Sequence, residues 1–191
     1  DIEQAKTWAI KTAKSLKEMG INVNFAPVAD VGSNDKRSYS TDTNTVIDFV
    51  RAATKGYQQE NIIYSLKHFP GIGKGKVDSH IDSSSIDVVK EVLMTEDILP
   101  FKAIIDENEP NDYFILVSHL KYPALDEEYP ASLSSKIMTD LLRNELGYKG
   151  IIITDDMEMG AVANHNDFRS IGVNAVKAGA DIVLVCHEYK H

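Results

Sequence analysis

The sequence predicts an α/β fold in which helices cover a mostly parallel sheet. Three observations point there. Helix-like and strand-like patterns alternate from end to end. The strand-like runs Ile62–Leu66, Tyr113–Val117 and Ile151–Thr154 are apolar at successive positions, as strands buried on both faces are. Polar residues follow those runs at once, and the C-terminal ends of parallel strands are where such folds place their chemistry.

The elements follow in order. Ala5, Trp8, Ala9, Thr12 and Leu16 recur at helical spacing within about Ile2–Met19, and Gly20 is a stop signal. A strand is expected at Val23–Ala26. After the polar loop Gly32–Thr41, Val46, Phe49, Val50, Ala53 and Tyr57 mark a second helix. Ile62–Leu66 is the next strand. A helix carrying Ile98, Phe101, Ile104 and Ile105 precedes the strand Tyr113–Val117. Ser132 or Ser134 caps a helix through Ile137, Leu141 and Leu142 that stops at Gly147. Ile151–Thr154 and Ile182–Cys186 are the last strands, with a helix near Phe168–Ala178 between them. Five such units do not close an eight-stranded barrel. An open doubly wound sheet needs no further strands, but the sequence lacks a glycine-rich dinucleotide turn.

Composition sets bounds on function. The chain has 191 residues, fitting one domain, and 43% apolar content is enough for a core. A formal charge of −9 argues against a nucleic-acid partner, which favours a basic surface. No run is long and apolar enough to span a membrane, and no signal peptide is visible. The chain opens on Asp1 with no methionine, so an upstream segment can be absent. The single cysteine, Cys186, excludes an intrachain disulfide and is expected to fill core space in a strand.

The most informative stretch is Lys67-His68-Phe69-Pro70-Gly71-Ile72-Gly73-Lys74-Gly75-Lys76-Val77-Asp78-Ser79-His80. A strand ending in a cation and an imidazole runs into a loop with a second imidazole close to a carboxylate. Histidine titrates near neutrality and can both give and take a proton. The glycines of this loop suggest a phosphate loop only superficially, because their spacing is too short and Val77 stands where Ser or Thr would hold magnesium. His68, Asp78, His80, His119 and Asp155 could instead form a zinc site, but no His-x-His or His-Glu-x-x-His spacing occurs.

Lys-His-Phe-Pro-Gly-x-Gly followed by Asp-Ser-His resembles the signature of family 3 glycoside hydrolases of the β-N-acetylglucosaminidase type. Asn24–Val31 is similar to that family's third-strand motif, Ile151–Met159 to its nucleophile strand and Ala178–Cys186 to the next strand. The matches occur in the family's order and span nearly the whole chain.

The resemblance implies a fold and a set of roles. Residues 1–191 would be part of a TIM-like (β/α)8 catalytic barrel, missing its first two strands and its last unit. The activity implied is a retaining exo-β-N-acetylglucosaminidase acting on peptidoglycan-derived or related saccharides, with no cofactor and no metal. Asp155 would be the nucleophile and Asp156 a structural neighbour. Asp78 and His80 would form the acid/base dyad, and Arg37, Lys67, His68 and His119 would bind substrate. Extracellular or envelope placement is favoured over cytoplasmic, and oligomeric state stays open. A β-glucosidase of the same family, an inactive sugar binder and a metal-dependent barrel hydrolase are the alternatives. Four departures bear on these expectations. Ile72 replaces a common loop histidine, which puts loop geometry in doubt. Tyr39-Ser40 stands for Phe-Gly, the loop before Arg37 is shorter than the resemblance implies, and the family's Asp-x-Glu-Gly-Gly region is not in this sequence. The loop Gly71–Asp82 is expected to be the most mobile region, because its glycines remove backbone restraint.

Overall fold

The computed structural model describes residues 1–32, 37–75, 85–159 and 168–186. Its helices and strands alternate as expected. Helix α1 (Ile2–Glu18) is capped by the Asp1 carboxylate, which accepts from the Glu3 N–H at 2.9 Å. Strand β1 (Val23–Asn24) precedes α2 (Thr43–Gln59), whose first turn is closed by Asp42 accepting from the Thr45 N–H at 2.8 Å. Strand β2 (Ile63–Phe69) leads to a π-helical turn at Leu93–Asp97 and then α3 (Leu99–Glu107), which has proline in its first turn. Strand β3 (Tyr113–Val117), a wide π-helix at Lys136–Glu145, β4 (Ile151–Asp156), α4 (Phe168–Ala178) and β5 (Ile182–Leu184) complete the described chain. No helix among the described residues is long and apolar enough to cross a membrane.

The five strands form one parallel sheet in the order β1-β2-β3-β4-β5. It curls as part of a TIM-like α/β barrel. Among the described residues, β1 pairs only with β2 and β5 only with β4, as expected of outer strands. The core explains why the central strands are largely apolar up to their C-terminal ends. Tyr64, Leu66 and Phe69 of β2, Tyr113, Ile115 and Val117 of β3 and Ile152 of β4 are essentially inaccessible. Tyr57, Tyr64, Tyr113 and Tyr148 stack in series across the sheet, with successive ring centroids 5.3–6.2 Å apart.

Three expectations are corrected. In α1 the buried residues are Ala9 and Ala13, with Leu16 packed on the core, whereas Trp8 is 64% exposed. Ala9 and Leu16 keep their inward places, while Trp8 and Thr12 face out and Ala13 faces in, a turn of the stripe by about half the 100° step between residues. Strand β1 is shorter than expected because the Ala26 N–H turns back to the Asn24 carbonyl at 2.9 Å instead of extending the ladder at Ala26. Pairing resumes beyond it, where the Ala29 N–H donates to the Lys67 carbonyl at 2.7 Å. Finally, β5 ends at Leu184, and Cys186, expected within the strand as core filler, lies past it and is exposed in this chain. Between Ser132 and Ser134, the cap is Ser134, whose hydroxyl accepts from the Ile137 N–H at 3.2 Å.

Candidate active site

Parallel neighbours put every strand's C-terminal end on one rim. Asp30 follows β1, Lys67 and His68 close β2, His119 follows β3, and Asp155 closes β4. The structure brings these residues together.

Asp30 is 3% exposed, and its carboxylate is satisfied by three donors. Oδ2 faces His68 Nδ1 at 2.9 Å, while Oδ1 accepts from the backbone N–H of His68 at 3.1 Å and of Ile72 at 3.0 Å. An aspartate at this position therefore orients one histidine ring and fixes the start of the following loop. At Ile72 the chain is tied to Asp30 through its backbone N–H.

Lys67 is half-buried, and burial pushes its ammonium below the ordinary lysine range. The Asp155 carboxylate opposes that shift, Arg37 reinforces it, and Asp30 opposes it. Lys67 thus lies within electrostatic reach of a second cation and two carboxylates. Arg37 itself is on the exposed side of this group. Next to it the Ser38 hydroxyl lies 2.5 Å from the Asp30 carbonyl and 2.9 Å from the Ser40 carbonyl, and its one proton serves either acceptor. Tyr39 stacks on Phe49 with centroids 5.1 Å apart, so the Tyr39-Ser40 departure is absorbed by packing against α2.

The two aspartates that end β4 differ. Asp156 is 7% exposed, and its Oδ1 accepts from the backbone N–H of Glu158 and of Cys186, each at 3.2 Å. It ties the end of β4 to the turn that follows and to the chain just past β5. Asp155 is less buried, and its Oδ1 accepts from the Asp156 N–H at 2.9 Å. Alternation along a strand turns adjacent side chains to opposite faces, so only one of the pair can face the group around Lys67.

His119 differs from the expected sugar contact. It is 5% exposed, Nε2 donates to the Asp156 carbonyl at 2.8 Å, and Nδ1 lies 2.7 Å from Ser132 Oγ. Burial lowers its pKa below the ordinary histidine value, against the Asp156 backbone and the Asp155 and Asp156 carboxylates, which raise it. A neutral ring with Nε2–H then leaves Nδ1 to accept from Ser132.

Asp78 and His80 lie outside the described residues, as do Lys76–Asp82 of the loop expected to be mobile. The described portion, Gly71–Gly75, is held at several points. Tyr122 donates from its hydroxyl to the Gly71 carbonyl at 3.0 Å, and Lys74 Nζ donates to Glu96 and Asp97, each at 2.6 Å. A Cβ on Gly73 would lie 2.0 Å from the Val31 carbonyl oxygen, so the loop backbone rests directly on the residue after Asp30. Sequence reasoning missed Tyr122, Asp97 and Ser132, because each meets the site only through the fold. Among the described residues, no three His, Cys, Asp or Glu side chains cluster as a metal site would require.

A parallel, curled sheet with carboxylates, cations and a fixed imidazole on its C-terminal rim is the arrangement of a TIM-like α/β barrel with its candidate site at the strand ends. Comparison with known proteins agrees: the sequence model of the glycosyl hydrolase family 3 N terminal domain matches residues 1–191. The chain belongs to glycosyl hydrolase family 3. It is 35% identical to the beta-hexosaminidase A of Pseudoalteromonas piscicida over 96% of this chain and 34% of that protein. It is 32% identical to a beta-hexosaminidase of Xanthomonas campestris pv. campestris over 97% of this chain and 56% of that protein. The chain thus spans between about a third and rather over half the length of these relatives. Among solved structures, the family 3 beta-N-acetylglucosaminidase of Paenibacillus sp. FPU-7 superposes with a TM-score of 0.92. It is 34% identical, covering all of this chain and 37% of that one. The beta-N-acetylglucosaminidase of Thermotoga maritima gives 0.89 at 33% identity, covering 96% of this chain and 39% of that one.

Proposed function

We propose that residues 1–191 are part of the catalytic barrel of a retaining exo-β-N-acetylglucosaminidase. It releases terminal β-linked GlcNAc from peptidoglycan-derived or related saccharides. The observation that carries this reading is the division of labour between Asp155 and Asp156. Asp156 is held by two backbone N–H groups, whereas Asp155 stands beside Lys67 in the group on the rim.

In this mechanism Asp155 attacks the anomeric carbon as the bond to the leaving oxygen breaks, and a covalent glycosyl-enzyme forms. His80, oriented by Asp78, gives its proton to the departing oxygen. It then takes one from the water that releases the sugar and regenerates the Asp155 carboxylate. Lys67, Arg37 and His68 hold sugar hydroxyls. His119 acts at one remove, fixing the backbone at Asp156 and with it the direction of Asp155. The choice of GlcNAc over glucose rests on the Asp78-Ser79-His80 sequence and on the activities for which the relatives are named.

A mechanism-based fluorinated GlcNAc tests the assignment. The peptide containing Asp155 should be labelled, Asp155→Ala should abolish turnover of aryl GlcNAc, and Asp156→Asn should keep a measurable part of it. Label on Asp156 or Asp30 refutes the nucleophile. Faster turnover of aryl glucosides than of aryl GlcNAc refutes the substrate, and sugar binding without turnover refutes the enzyme.

A further inference from the structure

We infer that Lys74 and Asp97 are a positioning pair for the reaction, fixing the stretch Gly71–Gly75 from which the chain continues to Asp78 and His80. The inference rests on His80 being the acid/base.

Asp97 ends the π-helical turn Leu93–Asp97 and is wholly buried. Its Oδ2 takes the Lys74 ammonium at 2.6 Å, and Oδ1 meets no hydrogen-bond donor among the described residues. Lys74 is therefore what offsets this charge. Glu96, on the same turn, accepts from the same ammonium at 2.6 Å from a far more exposed position. The backbone of Asp97 is also a floor for the loop. Gly71 has φ +122°, and a Cβ there would lie 2.9 Å from Asp97 Cβ, so any larger residue would lift the loop off it. From the other side, Asp30 takes the Ile72 N–H at 3.0 Å, and Tyr122 donates to the Gly71 carbonyl at 3.0 Å.

The stretch also ends at a defined point. Gly75 donates its N–H to the Ile72 carbonyl at 2.9 Å, closing a turn. A Cβ on Gly75 would lie 2.9 Å from Ile86 Cδ1, and the Ile86 N–H donates to the Lys121 carbonyl at 2.8 Å. The chain leaves at Gly75 and is described again at Ser85–Ile86 beside it, next to the end of β3.

A buried ion pair is a weak way to gain stability, because an apolar pair of similar volume often does as well. It is an effective way to hold one geometry, because Lys74 has a single buried partner to reach. That separates a positioning role from a merely structural one. Misplacing a catalytic group by ~1 Å can cost ~10²-fold in rate, and the loss should fall on the step that needs His80's proton.

The test compares phenyl and dinitrophenyl GlcNAc, poor and activated leaving groups, in the full protein. Lys74→Met should lower kcat on the phenyl substrate by ~10–100-fold and on the dinitrophenyl substrate by under ~3-fold, as loss of aligned general acid catalysis does. The thermal midpoint should also fall, by roughly 6–20 °C, because Lys74→Met leaves the buried Asp97 carboxylate uncompensated, so the split between the two substrates is read well below the melting range; Lys74→Arg should restore most of the phenyl activity. Asp97→Asn should repeat the split if it folds; the Lys74 variants decide the matter if it does not. His80→Ala run alongside separates the two readings. If His80→Ala splits the substrates and Lys74→Met lowers both equally, or neither, the positioning pair is overturned alone. If His80→Ala shows no split, the acid/base assignment falls and takes this inference with it.

Discussion

Replacing Asp30 probes the site without touching the reacting carboxylate. Its carboxylate is 3% exposed and accepts from His68 Nδ1, the His68 N–H and the Ile72 N–H. Asp30→Ala strands three donors, and a buried donor left unpaired costs about 1–3 kcal/mol. The sum, about 3–9 kcal/mol, is a large share of the 5–15 kcal/mol that typically holds a domain together. Asp30→Asn is the gentler probe. Its amide oxygen can keep both backbone donors, and weaker bonds to a neutral acceptor cost about 2 kcal/mol in all. The ring tautomer is what Asn changes. Asp30 requires a proton on Nδ1, which leaves Nε2 of the neutral ring as an acceptor. The Asn amide instead presents N–H to Nδ1, moving the proton to Nε2. If His68 accepts a hydroxyl from the sugar, that bond is lost and KM should rise about tenfold, equivalent to ~1.4 kcal/mol. Urea unfolding gives the stabilities, and the imidazole nitrogen resonances report the tautomer. An Ala variant destabilised by less than ~1 kcal/mol, or an Asn variant with an unchanged ring proton, would refute the reasoning.

Two further outcomes follow from the same rim. His119 titrates below its unfolded value of about 6.5, so between its folded pKa and about 6.5 the unfolded chain binds the extra proton. Stability from this residue is therefore complete above about pH 6.5 and falls as pH drops through that value, by at most ~1.4 kcal/mol per pH unit. The urea midpoint should fall more between about pH 7.5 and about pH 5.5 in the parent than in His119→Leu, and equal slopes would sink the assignment. Gly73→Ala would press a methyl group against the Val31 and Gly32 backbone, at 2.0 Å and 2.7 Å from their carbonyl oxygens. Overpacking of this kind costs about 1–3 kcal/mol, or about 3–9 °C in Tm for a chain of this size. A variant melting with the parent would show that the loop does not rest there.

Much of the architecture was legible because β2, β3 and β4 are buried on both faces and their sequences are largely apolar up to their C-terminal ends. Asp30, Lys67, His68 and Asp155 were legible for a related reason: each comes where an apolar run ends, which in a parallel sheet is one rim. What stayed hidden depends on partners far apart in the chain. Lys74 meets Asp97 across 23 positions and His119 meets the Asp156 carbonyl across 37, and no local pattern encodes either. The α1 stripe was misjudged because bulk was taken as a sign of burial. Ala9 and Ala13 bury instead, since small side chains let α1 lie close to α2, and this leaves Trp8 outside.

That placement has a spectroscopic consequence. The chain has one tryptophan, and it already sits in solvent, on the lip of a recess it shares with Tyr39, Phe49 and Tyr57, its ring under the Lys11 ammonium at 4.8 Å. Its emission will be red-shifted in the native state and will change little on denaturation. The stacked tyrosines in the sheet, fixed and asymmetric, will instead dominate the near-ultraviolet dichroism and lose it on melting. One chromophore thus reports folding and the other reports contact. Any protein segment that settles over the outer face of α1 will announce itself as a blue shift of Trp8 while the tyrosine signal stays unchanged.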